Sequence, residues 1–187
     1  MQKPKVAPMV DPVSARLWLY RGAFVGIAGL ILFVRLLPIG GSAGSWPGPD
    51  LMLCLMLAWV TRRPDYLPAL LIAAVVLFED LMLMRPPGLW AAIVVLATEF
   101  LRARSALTRE LGFLPEWFLI GVVMFSMLAG YRLILGLAFL DQPGFGYAFA
   151  QTAMSILSYP VVAGALQLAL GLRKPLTGEV DAWGRRL

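Results

Sequence analysis

Apolar runs separated by short basic or proline-containing connections dominate this sequence. The hydrocarbon core of a bilayer is about 30 Å thick, and about 20 helical residues cross it. Four runs approach or exceed that length, and two further runs are shorter. The pattern predicts six transmembrane helices, some of them short or bent. Their approximate spans are residues 18–37, 46–60, 67–84, 89–101, 116–140 and 148–172.

Composition favours a membrane protein over a soluble domain. Hydrophobic residues make up 60% of the 187 residues and charged residues only 14%, and the mean hydropathy is +0.79. A soluble domain has roughly 45–50% apolar and about 25% charged residues. We therefore predict an all-α integral membrane protein, a compact bundle in which residues 1–187 form a single transmembrane domain.

The charged residues lie mostly at the ends of the apolar runs. The formal net charge of +5 therefore points to a membrane surface and its lipids, and not to nucleic acid. With six spans and a cytoplasmic N-terminus, every Lys and Arg except Arg35, Arg85 and Arg132 falls on the cytoplasmic side. This is the distribution that the positive-inside rule requires. The basic tails 1–17 and 173–187 are then both cytoplasmic.

Tryptophan positions agree with this topology, because tryptophan rings favour the headgroup level of a membrane. Trp18, Trp59 and Trp117 fall at predicted inner ends, and Trp46 and Trp90 fall at outer ends. We therefore expect these tryptophans to act as membrane anchors and not as ligand-stacking groups. A four-span alternative that omits the two short runs fits the positive-inside rule slightly less well.

Charged residues within the apolar spans are the strongest functional candidates, because a charge in a membrane is costly unless it is paired. Glu79 and Asp80 lie deep in the third span, and Arg35 and Arg132 lie far into the first and fifth. At about 1.5 Å per residue, all four fall in the outer half of the bundle. We predict that they pair across helices as one polar cluster. The alternative is that each snorkels singly to the outer headgroups.

Enzymatic chemistry finds little support in the residues. The chain has no histidine and a single cysteine, Cys54, which excludes an intrachain disulfide and the usual Cys/His metal sites. The sequence lacks phosphate-binding loops, nucleophile elbows and zinc-protease motifs. Glu79 and Asp80 are adjacent and point about 100° apart on a helix, so they do not form a convergent catalytic pair. We predict a non-enzymatic protein without a cofactor or metal.

A glycine pattern in the first span is a candidate helix-packing surface. Gly22, Gly26 and Gly29 recur at helical spacing, and small residues let helix backbones approach closely in lipid. This face serves either a helix of a partner or a neighbouring helix of the same chain.

The motif content between residues 49 and 88 resembles that of a known family. A proline precedes an apolar run that ends in tryptophan, a second proline follows, and an aspartate and a glycine come later. The sequence resembles the bacterial rod-shape-determining membrane proteins of the MreD family, and the likeness in length and hydropathy covers most of the chain. Glu79 departs from the family pattern, which usually has a small or apolar residue there. The matching residues are Pro49, Trp59, Pro64, Asp80 and Gly88, with Pro160 in the last helix, where it should cause a kink.

The resemblance implies a scaffold of the elongation machinery in the bacterial inner membrane. Such a protein binds MreC and couples cell-shape determination, through cytoplasmic MreB filaments, to peptidoglycan synthesis by RodA and a class B penicillin-binding protein. The resemblance also implies a six-helix bundle similar to the substrate-binding subunits of energy-coupling-factor (ECF) transporters. The tail 173–187 then meets either MreB or anionic lipid.

Two other function classes stay open at this level. A small-molecule-binding subunit of a transporter would need a cavity lined by polar groups. An intramembrane enzyme acting on lipid-linked wall precursors would have to use Asp80 and Glu79 without a nucleophile–base pair. We favour the scaffold, with the transporter subunit as its alternative.

Overall fold

The computed structural model describes residues 12–37, 47–105 and 112–171. Within these ranges the secondary structure consists of six α-helices and a 3-10 turn at Pro64–Tyr66, with no β-strand. Trp46 and the predicted tail 173–187 lie outside the described residues. The α-helices are α1 (Pro12–Leu36), α2 (Leu51–Arg62), α3 (Ala69–Met82), α4 (Leu89–Ala103), α5 (Phe113–Leu137) and α6 (Phe145–Leu170).

Three of the described helices are long and apolar enough to cross a membrane. They are Ser14–Leu36 within α1, and the whole of α5 and α6. Residues 12–17, predicted to belong to the N-terminal tail, are already helical. The predicted membrane character therefore agrees with the structure at this level, with α1, α5 and α6 as its long elements.

The third predicted span is shorter than expected. Helix α3 contains 14 residues, about 21 Å at about 1.5 Å per residue, so it falls short of the roughly 30 Å core. Pro68 is the N-cap of α3. At the other end Met84 has a positive φ of 53°, which takes the backbone out of the helix before Pro86 and Pro87.

Helix α2 forms the centre of the bundle. Its 12 residues extend only about 18 Å, and every residue from Met52 to Arg62 is buried. It packs against α1, α4 and, most extensively, α6. We expected a bent or partly re-entrant segment beginning near residue 46, but the structure has a regular helix that begins at Leu51. A helix that is apolar on every side is stable when other elements surround it, and α2 meets that condition.

Trp59 is part of this central core. Its side chain is fully buried, and its ring makes an edge-to-face contact with Phe24 of α1 at a centroid distance of 5.4 Å. The prediction that Trp59 acts as a membrane anchor is therefore wrong, because other helices enclose its ring. Position near the end of an apolar run did not distinguish a surface anchor from a core residue. Trp18, by contrast, is 68% exposed, and the Arg21 guanidinium lies over its ring.

The other helices surround α2. Helix α3 packs against α4, α4 against α5, and α5 against α6, while α1 contacts both α2 and α3. Helix α6 continues through Pro160 without interruption. The outward faces of the three long helices carry large apolar side chains such as Leu30, Phe118 and Leu168, which are mostly exposed. Extensive exposed apolar surface is typical of a protein that meets lipid or a partner.

Candidate functional site

A buried charge cluster joins three elements at the N-terminal end of α2. Arg35 Nη1, near the end of α1, lies 2.6 Å from Glu79 Oε1 of α3 and 3.7 Å from Asp50 Oδ1. Glu79 is almost completely buried, and about a quarter of the Arg35 side chain is exposed. We call these three residues the Arg35 cluster. Two of the four residues predicted to pair, Arg35 and Glu79, are therefore in contact across helices.

Asp50 is the member of the Arg35 cluster that the sequence analysis missed. Its carboxylate accepts a hydrogen bond from the Leu53 amide at 3.1 Å, so it caps α2. Its own amide donates to Ser155 Oγ of α6 at 2.8 Å, and the Cys54 thiol donates to the Ser155 carbonyl at 3.2 Å. An Asp directly before an apolar run is a recognised helix-start signal, and it could have identified Asp50.

Asp80 serves a different purpose from its neighbour. Its Oδ2 accepts hydrogen bonds from the amides of Gly88 at 3.2 Å and Ala91 at 3.3 Å, at the start of α4. Gly88 has φ +87°, a left-handed conformation that favours glycine. Asp80 Oδ1 is buried and has no hydrogen-bond partner among the described residues. Asp80 thus ties the end of α3 to the start of α4, and Glu79 turns toward α1.

Arg132 is not part of the Arg35 cluster. Its guanidinium donates to the Pro143 carbonyl at 2.9 Å and lies 5.3 Å from the centre of the Phe145 ring. It therefore binds the connection between its own helix, α5, and α6. The prediction that Arg132 joins this cluster is wrong, because Arg132 faces the α5–α6 connection.

A second buried network lies at the opposite end of α2. Arg62 Nη1 is 3.4 Å from Glu116 Oε1 of α5, and the Tyr159 hydroxyl of α6 donates to the same oxygen at 2.8 Å. The Thr61 hydroxyl lies 3.3 Å from the Tyr159 hydroxyl. We call these four residues the Glu116 network. All four are buried, so helices enclose the Arg62 side chain and its charge does not face a membrane surface. The position of Arg62 at the end of an apolar run did not indicate that its side chain is buried.

A pocket of about 200 Å³ opens beside Asp50. Its walls come from the second half of α5, the first half of α6, the N-terminal end of α2 and the connection between α3 and α4. Two arginines that we predicted to lie toward the outside, Arg85 and Arg132, line it together with Asp50. We call it the two-arginine pocket.

The glycine pattern of α1 faces away from the bundle. Gly22, Gly26 and Gly29 are exposed, and a Cβ added to any of them would meet no atom within 4 Å. Large apolar side chains on the same side of α1, including Leu19 and Phe33, are also exposed. No described helix of the chain therefore packs against this face. Of the two alternatives, a helix of a partner is the one that stays open.

Two of the three prolines of the resemblance, Pro49 and Pro64, have local structural roles beside α2. Pro49 lies directly before the Asp50 cap, and Leu51 donates to its carbonyl at 3.1 Å. Pro64 is buried at the start of the 3-10 turn that connects α2 to α3. Both prolines thus fix the boundaries of α2.

The charged groups of the site mostly join one helix to another. Glu79 and Asp80 turn to different helices, as their adjacency predicts, and do not converge on one point. No group of three or more His, Cys, Asp and Glu residues within ranges 12–37, 47–105 and 112–171 is placed to hold a metal ion. Comparisons of this chain with protein-family models, with curated proteins and with solved structures found no match.

Proposed function

We propose that this protein is a non-enzymatic membrane scaffold of the MreD kind, which binds MreC in the bacterial inner membrane. In this proposal it couples cell-shape determination to peptidoglycan synthesis by RodA and a class B penicillin-binding protein. The support comes from the sequence resemblance between Pro49 and Gly88, and from a bundle whose charged residues mostly hold helices together. The proposal includes two cytoplasmic termini and a six-helix bundle of the kind that the resemblance implies, similar to the ECF substrate-binding subunits.

The observation that carries the proposal is the open glycine face of α1. Gly22, Gly26 and Gly29 leave a shallow groove on a helix that is long enough to cross a membrane. Small residues allow a second helix to approach closely in lipid, where van der Waals packing drives association. An apolar helix of MreC is the partner that we propose for this groove.

The fixed interior of the bundle suits a scaffold. The Arg35 cluster connects α1, α2 and α3, and the Glu116 network connects α2, α5 and α6. Paired buried charges restrict the ways in which helices can slide past one another, because any slide leaves a charge unpaired. Arg35, near the C-terminal end of α1, thus fixes the position of the helix that carries the glycine face.

Co-purification with MreC in mild detergent tests this proposal. Wild-type protein should retain MreC through affinity purification and size exclusion. Gly26→Leu should lower the recovered MreC about tenfold or more, because loss of close packing worth about 1.4 kcal/mol already changes affinity tenfold. Gly164→Leu in α6 is the matched control, since a Cβ at Gly164 also meets no atom within 4 Å, and it should retain MreC.

The comparison of the two leucine variants shows whether MreC binds the glycine face of α1 or a different surface. Equal recovery of MreC with both leucine variants would remove the glycine face from the interface. Absence of any complex with a monodisperse wild-type protein would contradict the scaffold itself.

The two-arginine pocket favours a second candidate, a small-molecule-binding subunit of a transporter. Such a subunit requires a cavity with a few polar groups in its wall, and Asp50, Arg85 and Arg132 supply them here. Mass spectrometry of the purified protein tests this candidate: a retained water-soluble molecule of vitamin size, together with no MreC complex, would place it ahead of the scaffold.

A further inference from the structure

The two arginines of the two-arginine pocket form no direct salt bridge among the described residues. The Arg85 guanidinium lies 5.9 Å from the centre of the Trp90 ring. Arg132 donates to the Pro143 carbonyl at 2.9 Å, a neutral acceptor. In the described part of the chain, neither guanidinium has a carboxylate oxygen within 4.0 Å. Both positive charges therefore border the pocket without a compensating ion pair.

The nearby carboxylates bond mainly to other groups, and Asp80 Oδ1 has no hydrogen-bond partner among the described residues. Glu79 pairs with Arg35, and Asp80 accepts from the amides at the start of α4. Asp50 also lines the pocket, but its carboxylate caps α2 and lies 3.7 Å from Arg35. Arg35 is shared between Glu79 and Asp50, and Arg85 acts on the charges of Glu79 and Asp80 at longer range. The guanidinium groups that line the pocket and have no carboxylate in direct contact are those of Arg85 and Arg132.

We infer that the two-arginine pocket binds a phosphate group. Guanidinium groups present several N–H donors in a fixed planar arrangement that matches phosphate oxygens, and such charge-assisted hydrogen bonds are stronger than neutral ones. Tyr131, Tyr147 and Gln151 also line the pocket and add neutral hydrogen-bonding groups. Phosphate supplies both the negative charge and the multiple acceptors that this set requires.

The size of the pocket limits which kind of phosphate-bearing molecule can bind in it. Its volume of about 200 Å³ is below the roughly 300–1,000 Å³ of sites that enclose a drug-sized ligand. A vitamin-sized molecule would therefore extend beyond it, whereas the phosphate end of a larger molecule fits.

The position of the pocket makes a lipid the expected source. It lies between α5 and α6, which are both long enough to cross a membrane. Leu53, Met124 and Leu128 form an apolar part of its wall, and the Phe145 and Phe149 rings beside it are exposed and stack on one another. A phospholipid would place its phosphate at the arginines and its acyl chains along these apolar surfaces. A soluble phosphate ester shares the same chemistry and is the second source.

Native mass spectrometry of delipidated protein in detergent tests the inference. Three probes are added separately: phosphatidylglycerol, diacylglycerol with the same acyl chains, and glycerol 3-phosphate. We expect one phosphatidylglycerol to bind per chain and diacylglycerol to bind at least tenfold more weakly, since loss of about 1.4 kcal/mol corresponds to tenfold. The variant with both Arg85→Gln and Arg132→Gln should lose this preference for the phosphate-bearing lipid.

Two variants separate loss of binding from loss of folding. Arg16→Gln changes an exposed arginine of α1 and should bind phosphatidylglycerol like the wild type. The double change Arg85→Lys and Arg132→Lys keeps the charge and should retain part of the preference, with an unchanged elution volume in size exclusion. Co-purification of MreC should be the same for the wild type and the glutamine variant, so this test is independent of the proposed scaffold.

The inference is overturned if diacylglycerol and phosphatidylglycerol bind equally, or if the glutamine variant keeps the wild-type preference. Tighter binding of glycerol 3-phosphate than of phosphatidylglycerol would support a phosphate site and overturn the lipid as its source.

Discussion

Arg62 Nη1 and Glu116 Oε1 lie 3.4 Å apart, and both side chains are more than nine-tenths buried. The pair connects the C-terminal end of the central helix α2 to the first turn of α5. Tyr159 donates to the same Glu116 oxygen, so helix α6 is joined to the pair as well.

Glu116→Gln should destabilise the bundle strongly. The change leaves Arg62 buried without its counter-charge, and breaking a buried pair in this way costs about 3–5 kcal/mol. Glu99→Gln is the matched control, because the Glu99–Arg102 pair is a partly exposed i,i+3 contact and such pairs contribute about 0–1 kcal/mol. Unfolding by titration with SDS in mixed micelles measures both. Similar small losses for the two variants would show that the Glu116 network is not a principal stabiliser.

Two substitutions of Asp50 should separate the capping role of its side chain from the role of its charge. Asn keeps a side-chain oxygen that can cap α2, whereas Ala removes it, and loss of an N-cap costs about 0.5–2 kcal/mol. We therefore expect Asp50→Ala to lower the free energy of unfolding by about 1 kcal/mol more than Asp50→Asn. The same SDS titration distinguishes them. If the two variants unfold together, the cap contributes little and the charge beside Arg35 is the part of Asp50 that matters.

Gly88→Ala should destabilise the protein although there is space for a Cβ. Nothing lies within 4 Å of the added atom, but φ is +87°, and a left-handed conformation costs an L-residue about 1–2 kcal/mol. Gly164→Ala in α6 has equal space in an ordinary helix, where alanine is favoured over glycine by about 1 kcal/mol. The unfolding midpoint should therefore fall for the first variant and stay or rise for the second. A fall in both midpoints would point to packing rather than to backbone conformation.

Trp59→Ala should cost much more than Trp18→Ala. Trp59 is fully buried against Phe24, and removal of a large core side chain costs about 3–5 kcal/mol. Trp18 is 68% exposed, and surface changes usually stay within about 0.5 kcal/mol. Thermal unfolding in detergent compares the two variants. Equal costs would show that burial of the Trp59 ring adds little to the stability of the bundle.

The helical architecture was predictable because it follows from local patterns. Runs of apolar residues bounded by proline and arginine gave helices near their observed positions, and the Arg35–Glu79 contact followed from the cost of a charge in an apolar span. The interior position of α2 was also visible in part, since residues 51–60 are apolar on every side, a pattern typical of a fully enclosed helix. Its short length suggested instead a bent or partly re-entrant segment.

The parts that failed depend on tertiary neighbours. An arginine at the end of an apolar run looks the same whether it meets headgroups or, like Arg62, a buried glutamate from a helix 54 residues away in sequence. Arg132 and Asp80 have suitable charges and similar depth, yet each had a closer partner in a local connection. Depth along a helix does not specify the direction in which a side chain points, and that direction decides the pairing.

The central position of α2 also constrains how the protein is made. Helix α2 leaves the ribosome early, but the helix that covers it most extensively, α6, begins at Phe145. Until α6 is synthesised, Asp50 lacks the Ser155 hydroxyl and Tyr159 is not yet present to bind Glu116. For most of its synthesis, the nascent chain therefore contains a short apolar helix that is only partly covered by other helices. This helix begins after Asp50 and ends at Arg62. Biogenesis should consequently depend on the last helix, and chains truncated before α6 should be recognised and degraded by membrane quality control.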